Sequence, residues 1–409
     1  MSPQHNRPLP RSARRAARSR HSQALAFLLA AGAFLATANA SGISPTIATH
    51  GGGTADSVAA AAASTSKTSA LSIRVAGNRL VDGAGNPVQL RGVNRSGTQY
   101  ACAEGWGIFD GPSDNASLDA MKTWHINAVR VNGNEDCWLG INGVKAVYSG
   151  ARYIAALVDY VNRITAHGMY VIFDLHHSAP GTQLASDQQP MADRSHSNAY
   201  WSSVAATFKT NPAVIFDLYN EPYPDSNRNT TAAWKCVRDG GTCPGVSFTA
   251  AGSQEMLTAV RAAGAQNVVM VGGPEYAGDV DQWTQYAPND PLHQLAASIH
   301  IYYKTPANPE WAPCDYVACW TSTMVPLAAS TPIVIGEFGE HDCNSHLLDG
   351  TALTPTQASL FDWSDRHGIS YLGWSWFTGK CAGEPALISN YNGTPTEYGK
   401  GVRAHYLKF

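Results

Sequence analysis

Charged side chains are scarce in this sequence. Asp, Glu, Lys and Arg make up only 14% of the 409 residues, whereas hydrophobic residues make up 44%. Disordered chains have the opposite balance, so this composition excludes a chain that is disordered throughout and favours a large hydrophobic core. The length suits one large domain or two medium ones, and α/β barrels often take about 250 residues or more as a single unit.

Acidic residues and lysine are absent from residues 1–40, which nevertheless hold six arginines, the last of them Arg20. An apolar run from Ala24 to Ala36 follows, and Ala38-Asn39-Ala40 has the small-x-small pattern of a cleavage site. This arrangement predicts a signal peptide over residues 1–40 and hence a secreted, extracellular protein. The apolar run is too short for a retained membrane anchor.

Large apolar residues are almost absent from Ser41 to Ala70, which consists mainly of Gly, Ala, Ser and Thr. This composition predicts a flexible linker or tail over residues 41–70 and leaves residues 71–409 for one folded domain.

Without the leader, 22 basic residues face 31 acidic ones, a formal net charge of −9. Nucleic acids and anionic membranes are polyanions, so we expect that the chain binds neither and that its partner is neutral.

Long apolar runs are absent beyond the leader; instead, eight short runs alternate with stretches of helical periodicity from Leu71 onward. Most of these runs are apolar on both faces, which is typical of buried parallel strands. Their spacing of roughly 30 to 50 residues fits strand–helix units with extended loops. The eight predicted strands are Pro87–Asn94, Ala128–Val131, Tyr170–His176, Val214–Glu221, Asn267–Glu275, Leu295–Tyr302, Pro332–Gly339 and Tyr371–Phe377.

A glycine-rich phosphate loop, which an open doubly wound sheet usually carries after its first strand, is also missing, because Arg91-Gly92-Val93-Asn94 contains a single glycine. Eight strands therefore predict an α/β fold of the (β/α)8, or TIM, barrel type. The segment before the first strand has turn signals at Asp82-Gly83 and Gly85-Asn86. It predicts a small N-terminal β-hairpin, residues 71–88, that caps the closed end of the barrel.

No two cysteines have the Cys-x2-Cys spacing of a zinc ribbon or finger, so metal binding by these residues is disfavoured. Eight cysteines in an exported chain predict disulfides, because that compartment is oxidising. Two pairs are close in sequence and are expected to close their own loops, and the other four residues follow the first, second, seventh and eighth predicted strands. The predicted bridges are Cys236–Cys243, Cys314–Cys319, Cys102–Cys137 and Cys343–Cys381.

Polar and aromatic side chains cluster at the carboxyl ends of seven of the eight predicted strands. Strand carboxyl ends converge on one mouth of a barrel, so residues from distant parts of the chain are expected to meet there. A single charge at a strand end is readily explained as a solvated rim residue, but this concentration is not. The predicted mouth residues are Arg130, Asp174, His176, Asn220, Glu221, Glu275, His300, Tyr302, Glu337, Trp374 and Trp376.

Two glutamates across a mouth lined by aromatic rings suit the cleavage of glycosidic bonds. One carboxylic acid protonates the departing oxygen, and the other carboxylate attacks the anomeric carbon or activates a water molecule. Tryptophan faces stack on sugar rings. A separation of about 5 Å between the carboxyl groups gives retention of configuration and a wider gap gives inversion, a distance that a sequence does not contain.

Two motifs resemble the signature motifs of glycoside hydrolase family five, a member of clan A. They are Leu218-Tyr219-Asn220-Glu221-Pro222 and Ile335-Gly336-Glu337-Phe338-Gly339, each after a hydrophobic run. The resemblance covers about residues 71–409 and implies a retaining (β/α)8 enzyme in a family that includes endo-1,4-β-glucanases, or cellulases. It implies that Glu221 is the catalytic acid/base and that Glu337 is the nucleophile.

The resemblance also implies roles beside the two glutamates. Asn220 matches the asparagine that holds a sugar 2-hydroxyl, and Arg130 matches the arginine that orients the nucleophile. Charge is consistent with these roles, because a nearby Arg130 favours the ionised form of Glu337, whereas a negative neighbour favours the protonated form of Glu221.

The remaining matches are aromatic residues and histidines. The third-strand histidine of the family matches His176, and the His-x-Tyr of the sixth strand matches His300 and Tyr302. The eighth-strand tryptophan matches Trp374, and strand alternation places Trp376 at the mouth as well. The resemblance implies that these side chains bind the sugar or hold the carboxylates.

Several alternatives remain. Asp174-Leu175-His176-His177 offers metal ligands, but the His-x-His of barrel amidohydrolases is missing from Gln89–Asn94, so we expect no metal and no cofactor. The leading hypothesis is a monomeric endo-1,4-β-glucanase whose partner is a β-linked polysaccharide or oligosaccharide. A β-mannanase or another β-glycanase stays open because the scaffold does not fix the sugar. A carbohydrate-binding barrel without turnover also stays open, although a pure binder needs neither Glu221 nor Glu337.

Overall fold

The structure is a computed structural model that describes residues 71–303, 314, 316–340, 359–379 and 385–409. These residues belong to one compact unit, Ser66–Phe409. The predicted signal peptide (1–40) and linker (41–70) lie outside the described residues, and so does the predicted Cys343–Cys381 bridge.

The strands of the described residues are mostly short. In chain order they are β1 (Ile73–Ala76), β2 (Arg79–Asp82), β3 (Arg91–Arg95), β4 (Ala128–Asn134), β5 (Tyr170–His177), β6 (Val214–Asp217), β7 (Gly240–Thr242), β8 (Thr249–Ala251), β9 (Val269–Gly272), β10 (Leu295–Tyr303), β11 (Ile333–Glu340), β12 (Ser370–Gly373), β13 (Ile388–Asn390) and β14 (Thr394–Pro395).

The helices follow most of these strands. In chain order they are α1 (Asn115–Lys122), α2 (Glu135–Leu139), α3 (Ala151–Ala166), α4 (Ser197–Phe208), α5 (Pro224–Asn227), α6 (Thr231–Asp239), α7 (Ser253–Ala262), α8 (Trp283–Tyr286), α9 (Val317–Ala328), α10 (Leu360–His367) and α11 (Glu397–Tyr406). Side chains cap several of them; Asp114, for example, accepts a hydrogen bond from Ser117 N at the start of α1. Within the described part of the chain, no helix has the length and apolar character needed to cross a membrane.

Eight parallel strands close into a barrel in the order β3-β4-β5-β6-β9-β10-β11-β12, and β12 pairs with β3 to complete the ring. The closed ring confirms the predicted (β/α)8 barrel, and each of the eight predicted runs overlaps one barrel strand. The predicted and observed bounds differ at several strands, among them β6. This strand ends at Asp217, so Glu221 lies in the loop beyond it rather than at the end of the strand.

The N-terminal hairpin covers the amino end of the barrel. Its two strands, β1 and β2, pair antiparallel. Ile73 and Leu80 of the hairpin pack in a buried cluster with residues at the amino ends of barrel strands, among them Ala128 and Tyr170. The hairpin therefore caps the end opposite the strand carboxyl ends, as predicted.

The larger hydrophobic core lies between the barrel strands and the surrounding helices. Val129 and Val131 of β4 belong to this outer core. Because successive side chains of a strand point to opposite faces, Arg130 between them points into the barrel. This alternation carries polar side chains into the barrel interior while the neighbouring apolar side chains anchor the strand.

Three of the four predicted disulfides are confirmed. Cys102–Cys137 joins the segment after β3 to α2, Cys236–Cys243 joins α6 to the segment after β7, and Cys314–Cys319 joins α9 to the residues before it. Every cysteine among the described residues is in one of these bridges.

Candidate active site

Arg130 is the centre of a polar cluster in the barrel mouth. Its side chain is fully buried, and its guanidinium contacts three carboxylates: Nη1 donates to Glu337 Oε1 at 2.7 Å, Nε donates to Asp217 Oδ2 at 3.1 Å, and Nη2 lies 2.8 Å from Asp174 Oδ2. Burial opposes the charge, but the three carboxylates outweigh it and raise the pKa of Arg130 above its usual value. One buried cation therefore holds together residues from four strands.

Two asparagines complete the set of acceptors around Arg130. Asn94 Oδ1 accepts from Nη1 and Asn220 Oδ1 accepts from Nη2, each at 3.0 Å. Asn94 also donates through Nδ2 to the backbone oxygen of Gly336 at 2.9 Å, next to Glu337. Because the Asn220 oxygen faces Arg130, its amide nitrogen lies on the side away from the arginine, where it is placed to donate to a ligand.

Glu337 reaches the mouth because β11 contains a bulge. Ile299 of β10 pairs with Ile335 and His300 pairs with Glu337, so Gly336 is the extra residue. Ile335 packs in the outer core, and strict alternation would send Glu337 there as well. The bulge turns Glu337 inward instead. A Cβ on residue 336 would lie 3.0 Å from His300 Nε2, so glycine at this position leaves room for the histidine ring.

Both oxygens of Glu337 are held by donors. Oε1 accepts from Arg130, and Oε2 accepts from the Tyr302 hydroxyl at 2.6 Å. His300 Nδ1 lies 3.7 Å from Oε2. Burial, with the charge of Glu337, raises the pKa of Tyr302 well above its usual value, so the phenol keeps its proton and remains a donor.

Glu221 has different surroundings. Its Oε1 lies 2.9 Å from His300 Nδ1, and its Oε2 accepts from Gln188 Nε2 at 3.0 Å. Burial raises the pKa of Glu221 above its ordinary value, against the lowering effects of Gln188 and of Arg130. Burial also lowers the pKa of His300 to about 3, so this ring is neutral near pH 7. Glu221 therefore retains a proton more readily than an exposed glutamate does.

The two glutamates face each other across a short gap. One carboxylate oxygen of each and one ring nitrogen of His300 all lie within 4.8 Å of one another. Such a set of atoms also has the size and donor types to hold a metal ion. A second such group, Asp362, Asp365 and His405, lies at the amino end of the barrel, where Arg91 already neutralises Asp365 from 3.1 Å.

His176 and Trp374 form one wall of the mouth. Their rings stack with centroids 5.4 Å apart and an interplanar angle of 16°. His176 Nδ1 lies 2.7 Å from Asp174 Oδ2 and 3.0 Å from Asn132 Nδ2. These contacts fix the imidazole through Nδ1, so the Nε2 edge points away from Asp174.

Trp376 does not face the mouth, and that prediction is wrong. Its side chain is fully buried, and its ring packs edge-on against Trp124 with centroids 5.0 Å apart, in the outer core. The physical reason is that β12 ends at Gly373, so strand alternation does not extend to Trp376. Of the two predicted tryptophans, Trp374 is the one at the mouth.

Glu275 begins a short segment that places an aromatic ring beside Glu221. Residues 275–277 have φ values of 59°, 57° and 58°, the left-handed region, although none is glycine. Each such residue costs roughly 1–3 kcal/mol and persists only where the surroundings hold it. Here Tyr276 N donates to Pro222 O at 3.0 Å, and the half-exposed Tyr276 ring stacks on Tyr223 with centroids 4.6 Å apart.

Three residues of this site were not predicted from the sequence, namely Asp217, Asn94 as a partner of Arg130, and Gln188. Asp217 had a usable signal, because a charge within the apolar run Val-Ile-Phe-Asp of a buried strand requires a partner. Gln188 had none. It comes from the long loop between β5 and α4, whose path over the mouth is set by tertiary contacts.

The pH dependence of stability tests the Arg130 cluster. Burial raises the pKa of Asp217 from 3.8 to about 6, despite Arg130. Between these values the folded state binds more protons than the unfolded state, so the contribution of Asp217 to the free energy of unfolding falls as the pH rises. Relative to wild type, we expect the free energy of unfolding of Asp217→Asn to increase by about 2 kcal/mol between pH 4 and pH 7.

Urea denaturation of both proteins at the two pH values measures this change. Asp159→Asn is the matched control, because Asp159 is exposed and pairs with Arg163 on the outside of α3. A difference between Asp217→Asn and wild type that stays constant with pH would contradict the raised pKa of Asp217.

The family model described as cellulase (glycosyl hydrolase family 5) matches residues 81–380 of this chain. The chain belongs to glycosyl hydrolase family 5. The matched residues include all eight barrel strands and both glutamates of the mouth. Family membership confirms the resemblance that the two sequence motifs indicated.

The relatives of this chain are named for different substrates. A cellulase from Thermoanaerobacterium sp. is 22% identical over 72% of this chain and 67% of its own length. An endoglucanase from Microbulbifer sp. (strain ALW1) is 24% identical over 78% of this chain and 55% of its own length. A mannan endo-1,4-β-mannosidase from Streptomyces lividans is 25% identical over 74% and 66%. The chain thus spans about half to two thirds of the length of these relatives.

Solved structures share the fold. A β-glucanase from Saccharophagus degradans, in complex with cellotetraose, superposes with a TM-score of 0.57 at 17% identity, covering 83% of this chain and 93% of that one. A hyperthermophilic endocellulase from the archaeon Pyrococcus horikoshii gives a TM-score of 0.60 at 18% identity, covering 82% and 99%. At these identities the likeness establishes the barrel fold.

Proposed function

We propose that this chain is a retaining endo-β-1,4-glucanase that hydrolyses cellulose or soluble β-glucan by double displacement, with Glu221 as acid/base and Glu337 as nucleophile. The observation that carries the proposal is the gap between the glutamates, since one oxygen of each lies within 4.8 Å of the other. Retaining glycosidases hold their carboxyl groups about 5–5.5 Å apart, whereas inverting ones need about 6.5–9.5 Å to admit a water molecule.

In the first step Glu337 attacks and Glu221 donates a proton. Arg130 and the Tyr302 hydroxyl hold the carboxylate of Glu337 in place for attack on the anomeric carbon. As that bond forms, the bond to the departing oxygen breaks, and this oxygen takes the proton of Glu221. The raised pKa of Glu221 keeps the proton available until then. The product is a glycosyl ester on Glu337.

The second step reverses the roles of the glutamates. Esterification removes a negative charge close to Glu221, which favours the ionised form of Glu221. Glu221 then takes a proton from a water molecule while the water oxygen attacks the anomeric carbon. The bond to Glu337 breaks, and the sugar leaves with the configuration it had at the start.

The walls of the mouth supply groups that suit a sugar chain. Trp374 and Tyr276 present partly exposed aromatic faces on which pyranose rings stack. The Asn220 amide nitrogen and the His176 ring edge are placed to hydrogen-bond sugar hydroxyls. These groups bind a neutral carbohydrate and require no charge on it.

The choice of sugar rests on the relatives. The cellulase and endoglucanase relatives favour a β-glucan, and the mannosidase relative at 25% identity makes β-mannan the second candidate. The three disulfides and the predicted signal peptide favour action outside the cell, where polysaccharides occur and disulfides persist.

A reducing-sugar assay on carboxymethyl cellulose, mannan and xyloglucan tests the proposal. We expect the protein to release reducing ends from carboxymethyl cellulose fastest, and Glu337→Gln to give the background rate. Faster release from mannan would favour the second candidate. Binding to these polymers without release from any of them would mean that the barrel is a carbohydrate-binding protein.

A further inference from the structure

The loop between β5 and α4 brings one polar side chain into contact with Glu221. Gln188 Nε2 lies 3.0 Å from Glu221 Oε2 and 2.9 Å from the backbone oxygen of Glu221. A backbone oxygen only accepts, so the amide nitrogen of Gln188, and not its oxygen, faces Glu221. One amide group therefore donates to both the backbone and the carboxyl group of the same residue, which restricts rotation of the Glu221 side chain.

The loop around Gln188 is itself held by two hydrogen bonds from tyrosines on either side of Glu221. The Tyr219 hydroxyl donates to the backbone oxygen of Gln189 at 2.8 Å, and the Tyr223 hydroxyl donates to the backbone oxygen of Gln188 at 3.2 Å. These tyrosines stand two residues before and two residues after Glu221. These hydrogen bonds join the loop to the segment that carries Glu221, and they keep Gln188 Nε2 next to the Glu221 carboxyl group.

We propose that Gln188 is a positioning residue for the acid/base. It donates to Glu221 Oε2 in both steps, so the proton is released from and returned to Oε1, the oxygen that also contacts His300 Nδ1, and it favours the ionised form that the second step needs. The physical reason is that an N–H group bonds more strongly to a carboxylate than to a neutral carboxyl group. This inference rests on the proposed roles of Glu221 and Glu337.

The effects on the pKa of Glu221 have the directions that this arrangement requires. Burial raises it, and the Gln188 hydrogen bond is the largest effect that lowers it. Gln188 therefore opposes part of the effect of burial on the pKa of Glu221.

Glu221 also faces charged or titratable groups from four barrel strands and from the loop after β9. These groups are Arg130, Asp174, His176, His300, Tyr302, Glu337 and Tyr276. Gln188 carries no charge, so its replacement by leucine removes a donor and leaves those charges in place. A change in the ionisation of Glu221 in this variant is then attributable to the lost hydrogen bond.

The pH dependence of kcat/KM for a cello-oligosaccharide tests the proposal, because its alkaline limb reports ionisation of the acid in the free enzyme. We expect Gln188→Leu to move this limb upward by about 0.5 to 1 pH unit, the size expected for one hydrogen bond. Gln188→Glu, of nearly the same shape, should move it further upward, because a second carboxylate opposes ionisation of Glu221. Gln188→Lys should move it downward.

Gln189→Leu is the matched control. Gln189 lies in the same loop and is held through its backbone oxygen, so this variant is expected to leave the alkaline limb where it is in wild type. Thermal melting of each variant identifies any that is unfolded, and Gln188→Glu keeps the test valid if leucine disturbs the loop.

An alkaline limb that is unchanged in both Gln188→Leu and Gln188→Glu would overturn the inference, and so would an equal shift in Gln189→Leu. Neither outcome affects the proposed function. That function fails on different results, namely a wild-type protein that cleaves no β-glycan or a Glu221→Ala variant with normal activity.

Discussion

Replacing Glu337 with glutamine is expected to lower the turnover of soluble β-glucan by several orders of magnitude and to leave the melting temperature nearly unchanged. An amide does not form the glycosyl ester, so the double displacement stops at its first step. The side chain keeps its shape, and Arg130 retains Asp174 and Asp217 as anionic partners. Steady-state kinetics and thermal melting of the same preparation measure both effects.

Two further experiments define the role of Glu337. Glu255→Gln is the matched control, because Glu255 pairs with Arg194 on the outside of α7, and we expect normal turnover from it. In wild type, a 2-deoxy-2-fluoro glycoside with a good leaving group should label Glu337, since the fluorine slows both steps and the leaving group rescues only the first. Peptide mapping that finds the label on Glu221 would reverse the two roles.

Replacing Glu221 with alanine is expected to lower turnover of unactivated β-glucan by about 10²–10⁴-fold, the usual contribution of general acid catalysis. Glycosylation by aryl glycosides with good leaving groups should be much less affected, because such groups need little protonation. The comparison of the two substrate types in this variant therefore separates loss of the acid from general damage to the site.

Azide provides the second half of this test. Added azide should restore turnover of the activated substrate by Glu221→Ala, because it attacks the glycosyl ester without help from a base. The product should be a β-glycosyl azide, with retained configuration. An α-glycosyl azide, or no response to azide at all, would refute the assignment of Glu221 as acid/base in a retaining mechanism.

The barrel was predictable from sequence because its strands are buried on both faces. Parallel strands of this kind appear as continuous apolar runs, and their number fixed the closed ring. Their ends were less predictable. Leu218 and Tyr219 continue the apolar run of β6 and are buried in the outer core, yet the regular strand ends at Asp217. A hydrophobic pattern reports burial, and burial continues past the last residue of a strand.

The candidate site shows a different limit. Glu337 lies at the mouth only because of the bulge at Gly336, which changes which face of β11 each later side chain occupies. Motif resemblance identified Glu337, whereas strand alternation alone would have placed it in the outer core. Alternation failed at Trp376 for the related reason that the strand had already ended. Neither motif resemblance nor strand alternation predicts Gln188, because it lies in a loop.

The disulfides also determine whether a cut in the backbone separates this chain into two pieces. The ring closed by Cys102–Cys137 contains α1 and β4, and with them Arg130. Extracellular proteases cut preferentially at exposed loops. A cut anywhere inside this ring leaves its two ends covalently joined, and the rings at Cys236–Cys243 and Cys314–Cys319 act in the same way on shorter segments. A proteolytic cut inside the Cys102–Cys137 ring under oxidising conditions therefore nicks the chain without releasing the strand that carries its central arginine.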